Sequence, residues 1–287
     1  MLVSMKDILS AANRGKYAVL AINCFNLESA CATVKAAEKR RSPIIIDLLQ
    51  EHMEKHIAKE ILLPSVVKMA KLATVDVAIN LDHGKSVDYV KECIVDGFTG
   101  VMIDQSEGNF KDNVRITKEI MDCALPKNIG VEAEVGNMGA VKNNQFTKQE
   151  MYTDPKEAIK FIRRTNVTVL AISFGSSHGV MPKDFIPKFN FDIVKEIKKA
   201  TGIPLVMHGG SGCGKDNIAK AVTVGINKVN VGSDILKAQS EAVYVQQQED
   251  RYMDYVDLLQ ITMTEAEKAV DEYINVVGST NKTSVTL

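Results

Sequence analysis

A short apolar, β-branched run recurs eight times along the chain, each time followed by a polar turn and then a longer segment of helical period. The runs occupy residues 17–22, 43–48, 77–81, 100–103, 130–135, 167–173, 204–207 and 228–231. Between them lie amphipathic stretches such as 27–40, 86–97, 113–123, 155–164, 191–200 and 216–225. Leu27, Ala30, Val34 and Ala37 show the spacing of one helical face. Strand–helix alternation implies parallel strands, because a parallel return needs a crossover long enough to hold a helix. Eight such units in 287 residues favour a closed (β/α)8 TIM barrel of the α/β class over an open doubly wound sheet. An initial helix (4–14) and a C-terminal helical stretch (265–277) are expected outside the barrel. No low-complexity linker or charge block divides the sequence, so residues 1–287 read as a single domain.

Composition agrees with that reading and narrows the function. Hydrophobic residues make up 45% of the chain and charged residues 25%, enough for one large core beneath a wetted surface. The net charge of −1 offers no field for nucleic acid or an anionic membrane, so a charged substrate must be met by local groups. The first fourteen residues lack the basic-then-apolar pattern of a secretory signal, and no apolar run reaches membrane-spanning length. The expected location is the cytoplasm. The five cysteines (Cys24, Cys31, Cys93, Cys123, Cys213) form no CxxC pair and read as small buried hydrophobes. Cys213, in a glycine-rich loop, is the one that stands near candidate chemistry.

The ends of the strands carry more information than their middles, since barrels of this kind build their chemistry at the C-terminal ends. In order, these ends bear Asn23, Asp47, Asp82-His83, Asp104, Glu134, Ser177-His178, His208 followed by glycines, and Asn230 with Ser233. Three of the chain's five histidines, His83, His178 and His208, fall just past the third, sixth and seventh runs. A catalytic Zn²⁺ commonly takes three protein ligands and keeps one position open, and neutral imidazole is a favoured ligand. One such histidine would read as a hydrogen-bonded loop residue; three on one rim read as a metal site. His52 and His56, one turn apart in residues 50–59, read as a solvated helix face. Asp104 and Glu134 could form a second, oxygen-rich cation site, orient the histidines as hydrogen-bond acceptors, or make ordinary salt bridges.

The segment His208-Gly209-Gly210-Ser211-Gly212 follows the seventh run, and Asn230-Val231-Gly232-Ser233 follows the eighth. Glycines let backbone N–H groups approach an anion closely. Loops at these two places are the recurrent phosphate position of this fold.

These segments resemble the class II (metal-dependent) fructose- and tagatose-bisphosphate aldolase family. The matching stretches run in family order from Tyr17-Ala18-Val19 and Asn26-Leu27-Glu28 through Leu81-Asp82-His83-Gly84, Val101-Met102-Ile103-Asp104 and Val131-Glu132-Ala133-Glu134. They continue through Tyr152-Thr153-Asp154-Pro155, Ser177-His178-Gly179, His208 to Gly212, Lys228-Val229-Asn230-Val231 and Val277-Gly278-Ser279. The resemblance implies that His83, His178 and His208 hold a catalytic zinc and that Asp82 transfers the proton at the aldehyde oxygen. It implies that Gly179, Gly209, Gly210, Ser211, Asn230 and Ser233 hold the phosphate of dihydroxyacetone phosphate. Asp104 and Glu134 then correspond to a secondary metal position, and the assembly to a homodimer or homotetramer. Such a cation would bind the ketone and hydroxyl oxygens of a dihydroxyacetone phosphate unit and stabilise the enediolate as a Lewis acid. A Schiff-base lysine is not expected: Lys228 begins the eighth run, at the other end of the barrel from the substrate.

The departures from the family are specific. Where the family carries Gly-Gly-X-Glu-Asp, this chain has Gly139-Ala140-Val141-Lys142-Asn143, so the loop carboxylate is missing. Lys142 could serve as the base only with its pKa lowered by about 3 units, and otherwise reads as an exposed loop lysine. Glu150, later in the same loop, is the other candidate. Asp47-Leu48-Leu49 replaces a Gln-X-Ser-like pattern, so Asp47 is expected to face the substrate, binding sugar hydroxyls or repelling an anionic group. After His178-Gly179 the family has a tyrosine and a phosphate-pairing lysine; here Met181-Pro182-Lys183 follow. The expected activity is therefore cleavage of a ketose (bis)phosphate to dihydroxyacetone phosphate and an aldehyde, with glyceraldehyde 3-phosphate not assured as that aldehyde. The competing readings are a non-catalytic, metal-dependent sugar-phosphate binder and a metallohydrolase. The hydrolase is the weaker, since the first run lacks a His-X-His pair.

Overall fold

The computed structural model describes residues 1–136, 152–176 and 188–285. Eight strands close into a barrel in sequence order: β1 (Val19–Asn23), β2 (Ile44–Leu49), β3 (Val77–Gly84), β4 (Gly100–Ile103), β5 (Gly130–Val135), β6 (Val169–Ile172), β7 (Leu205–Met207) and β8 (Ile226–Val231). Every neighbouring pair is parallel, including β1 with β8. The helices alternating with them are α2 (Leu27–Arg40), α3 (Gln50–Lys55), α4 (Lys59–Leu72), α5 (Val87–Asp96), α6 (Phe110–Ala124), α7 (Pro155–Thr165), α8 (Phe191–Thr201) and α9 (Lys215–Val224). Polar side chains start most of these helices in register: Asn26 and Ser29 form a reciprocal capping box on α2, and Asp154 caps α7 ahead of Pro155. The αβ barrel expected from the eightfold pattern is what the chain forms.

Two-residue periodicity decides what faces the inside. Val19, Ala21, Ile45, Ala78, Val169, Ala171 and Val206 form one apolar cluster with Met5, Ile8, Leu9 and Ala12 of helix α1 (Met5–Gly15). That helix closes the N-terminal end of the barrel. A Cβ added at Gly100 would stand 2.7 Å from Met5, and one at Gly130 would stand 3.2 Å from its Cβ, so the missing side chains are the socket for Met5. Further along, or just past, six of the eight strands polar side chains follow: Asn23, Asp47, Asn80, Glu132, His208 and Lys228. The interior thus runs from a dry base to a charged mouth.

Several expectations need correction. Residues 50–59 are not one exposed helix: α3 ends at Lys55, α4 starts at Lys59, and Lys59 is buried in ion pairs with Asp96 and Glu92. The C-terminal helix α11 (Tyr255–Val277) begins ten residues earlier than expected, and a 17-residue helix α10 (Ser233–Glu249) precedes it. Lys228 is not at the far end of the barrel. It lies in the middle of β8, wholly buried, beneath the mouth. Among the described residues, no helix is long and apolar enough to cross a membrane.

Candidate active site

Strand β3 runs to Gly84, so Asp82 and His83 belong to the strand itself. Its register with β4 shifts between Leu81 and Gly84, and His83 takes φ 48°. A histidine in this left-handed region is strained, and the irregular strand end is what aims its ring at the mouth. The His83 and His208 ring centroids are 4.9 Å apart, nearly perpendicular. Ligand atoms of Asp82, His83 and His208 lie within 4.8 Å of one another, as do those of His83, Asp104 and Glu134.

Each ring is held by a carboxylate. His83 Nδ1 lies 2.8 Å from Asp104 Oδ2, and Asp104 Oδ1 accepts hydrogen bonds from Ser106 N (3.1 Å) and Oγ (2.7 Å). His208 Nε2 lies 2.6 Å from Glu132 Oε1. A carboxylate beside one ring nitrogen sets the ring's orientation and, in a neutral ring, holds the proton on that nitrogen. Glu132 was not singled out from sequence, although Glu132 and Glu134 at i and i+2 on one barrel strand must point inward together.

Charge at the mouth is strongly one-sided. Burial works against ionisation of Asp82, but the charges of His83, His208 and Lys228 with the Asn23 hydrogen bond outweigh it and hold the carboxyl low. Burial also disfavours charge on His83, yet Asp82, Asp104 and Glu134 overcome it and push the imidazole up to about 10. The same carboxylates make the surroundings of His83 electronegative. Glu134 is almost wholly buried, its pKa is raised by burial and by Asp104, and its Oε2 has no hydrogen-bond partner among the described residues. Two preset imidazoles, carboxylates and an orphaned carboxylate oxygen suit a divalent ion such as Zn²⁺.

The mouth is a cavity of about 790 Å³, lined by His83, His208, Asp82 and Asp104 together with a wall of Asn23, Gly209, Ser211, Asn230, Gly232 and Ser233. Asn23 donates from Nδ2 to Asp82 Oδ2 at 2.7 Å. Ser233, which lines the cavity, opens α10, so the positive end of a long helix lies at this wall. The outer wall carries Leu49, Glu51, Lys85, Gln105 and Glu107.

Three of the expected site residues lie off the cavity formed by the described residues. Asp47 does not line this cavity: β2 continues to Leu49, which leaves Asp47 one layer down, wholly buried and bonded to Asn80, Lys228 and Asn230. Gly210 also lies off the cavity lining; its N–H already donates to Asn230 O at 2.9 Å, and a Cβ there would meet that oxygen at 2.8 Å. Val231 is buried away from the cavity as well. Cys213 is buried with Sγ donating to Gly209 O at 2.8 Å, and burial raises its thiol to about 12, so it braces the loop. His56 is exposed and His52 half-buried near Phe25. His178, Gly179, Lys142, Glu150 and Lys183 lie outside the described residues.

A (β/α)8 barrel whose C-terminal mouth sets carboxylate-braced imidazoles beside a glycine- and serine-rich wall has the outline of a barrel enzyme's active site. The family model for class II fructose-bisphosphate aldolase matches residues 3–282, and the chain belongs to that family. It is 40% identical over 248 residues to a fructose-bisphosphate aldolase of Geobacillus stearothermophilus, covering 84% of each chain. It is 39% identical over 245 residues to a 6-phospho-5-dehydro-2-deoxy-D-gluconate aldolase of Halalkalibacterium halodurans, again covering 84% of each. The crystal structure of the YdjI aldolase from Escherichia coli K12 superposes with a TM-score of 0.87 at 31% identity, covering 99% of this chain and 100% of that one.

Proposed function

We propose that this chain, as one domain, is a metal-dependent aldolase that reversibly cleaves a ketose phosphate, such as fructose 1,6-bisphosphate, to dihydroxyacetone phosphate and an aldehyde. The observation that carries the reading is the meeting of Asp82, His83 and His208 within 4.8 Å beside an anion wall. His83 and His208, joined in this reading by His178, would hold a zinc ion, with Asp104 and Glu134 available to a second cation. When bound, the ion supplies Lewis-acid stabilisation of negative charge on the substrate's ketone oxygen.

The chain's own groups do the rest. Asp82 stays ionised at neutral pH, so it can take the proton from the substrate hydroxyl as the carbon–carbon bond breaks, and return it in the condensation direction. Asn23 and Asn230 donate to its two oxygens and fix its direction. Gly209, Ser211, Gly232 and Ser233 offer donors to the phosphate, and the start of α10 favours its charge. Ser211 Oγ accepts from Asp234 N at 3.1 Å, which leaves its own hydrogen for the ligand. Lys142 and Glu150 remain the candidates for the carbon-bound proton.

The two aldolases compared above are named for different substrates at nearly equal identity. Their names describe one shared end: a phosphorylated terminal carbon, a ketone beside it, then a hydroxyl-bearing carbon. That supports recognition of the dihydroxyacetone phosphate half by the inner wall, with the other half met by Glu51, Lys85 and Glu107. The test is a retro-aldol assay on a panel of ketose phosphates, run with and without chelator and with Asp82→Ala. Cleavage that chelator and substitution both abolish is the expected result. Tight binding with neither cleavage nor C–H exchange would instead establish a sugar-phosphate binder.

A further inference from the structure

Beneath the mouth, one cation holds two carboxylates that reach different parts of the site. Lys228 is wholly buried, and its Nζ stands 2.8 Å from Glu132 Oε2 and 3.3 Å from Asp47 Oδ2. Beyond Glu132, Oε1 meets His208 Nε2 at 2.6 Å. Beyond Asp47, Oδ2 also accepts from Asn230 Nδ2 at 2.9 Å, and the same amide donates to Asp82 Oδ1 at 3.4 Å. Asn80 Nδ2 takes the remaining Asp47 oxygen at 2.9 Å. None of Lys228, Asp47 and Glu132 lines the cavity formed by the described residues.

Such a cluster is a poor way to stabilise a barrel. Desolvating an ammonium and two carboxylates costs much of what their attraction returns, and apolar side chains of similar volume often do as well or better. The layer just below is built that way, from Ile45, Ala78, Val169 and Val206. What the charged trio supplies is direction. With Asp47 drawing Asn230 Nδ2 downward, Asn230 Oδ1 is turned the other way. Among the described residues that oxygen is buried without a hydrogen-bond partner, on a residue that lines the cavity.

We propose that Lys228 is a positioning residue with two branches: through Glu132 it sets the ring of His208 for the cation, and through Asp47 it sets the Asn230 amide for substrate and for Asp82. The substrate branch rests on the aldolase reading above; the metal branch is measured with no substrate present.

The experiment uses full-length protein carrying Glu132→Gln, Asp47→Asn or Lys228→Met. It reads Zn²⁺ affinity by chelator competition, Tm, and kcat and KM at saturating zinc. Glu132→Gln is expected to weaken zinc binding about 10- to 100-fold and to leave KM unchanged once zinc is saturating. Asp47→Asn, which turns an N–H group toward existing donors, is expected to keep zinc affinity and lose about 100-fold in kcat/KM. Lys228→Met is expected to show both losses, and where it fails to fold the other two variants carry the test. The proposal is overturned if both shape-preserving variants only lower Tm, or if both shift zinc affinity and kcat/KM in parallel. Wild-type protein that turns over no ketose phosphate overturns the aldolase reading and the Asn230 branch with it, while the zinc affinity of Glu132→Gln still decides the other branch.

Discussion

Asp82 and His83 are adjacent in the chain, and on a regular strand they would point to opposite faces. The register shift before Gly84 and the left-handed backbone of His83 bring both to the same mouth. Their partners then differ: His83 lies against Asp104, while Asp82 accepts from the amides of Asn23 and Asn230. Asp82→Asn keeps the shape and removes the base, so kcat should fall about 10²- to 10⁴-fold while bound zinc, measured by elemental analysis, stays at the wild-type level. An equal loss of zinc would make Asp82 a ligand first. Asp104→Asn should act the other way, weakening zinc about 10- to 100-fold in a chelator competition.

The elements divide into those that close the barrel and those that serve its mouth. Helix α1 belongs to the first kind, with Met5 seated where Gly100 and Gly130 have no side chains. Met5→Ala empties that socket and should cost about 2–5 kcal/mol in urea unfolding, with kcat of the folded protein unchanged, because the dry layer separates it from the site. A kcat loss without a stability loss would show that the base and mouth are coupled. Helix α10 belongs to the second kind, since Ser233 starts it at the anion wall. Much of this was legible beforehand. The eight runs, most flanking helices, His83, His208 and the glycine loops all follow from local pattern. What was not legible is depth. Asp47 and Lys228 read as rim and far end because the sequence does not say how far β2 and β8 extend past them, and one extra pair of residues moves a side chain down a layer. Glu132 could have been found from its i, i+2 relation to Glu134. The α3–α4 break at His56 and the early start of α11 carry no glycine or proline to announce them.

The molecule gathers its buried charge at the barrel mouth, and this makes its stability depend on pH. His83 has a raised folded-state pKa, so without metal its stabilising contribution is complete below the unfolded value of about 6.5. That contribution is lost as pH rises through about 10. Asp47 and Glu134, raised chiefly by burial, act in the same direction. Asp82, Asp104 and Glu132 are held low and act oppositely, losing their contribution as pH falls below the ordinary carboxylate range. Chelated protein should therefore show a Tm that declines from pH 7 to pH 9.5, and zinc should abolish the decline by supplying the missing positive charge. Parallel curves with and without zinc would place the cation elsewhere.

Whether one ion sits between these imidazoles decides the rest. Anomalous diffraction at the zinc edge, on crystals of the zinc-loaded protein, answers it. One strong peak is expected about 2.0–2.1 Å from a ring nitrogen of each of His83 and His208, with His178 completing the set. A map with no peak between those two rings, or with zinc only at His52 and His56, would contradict it.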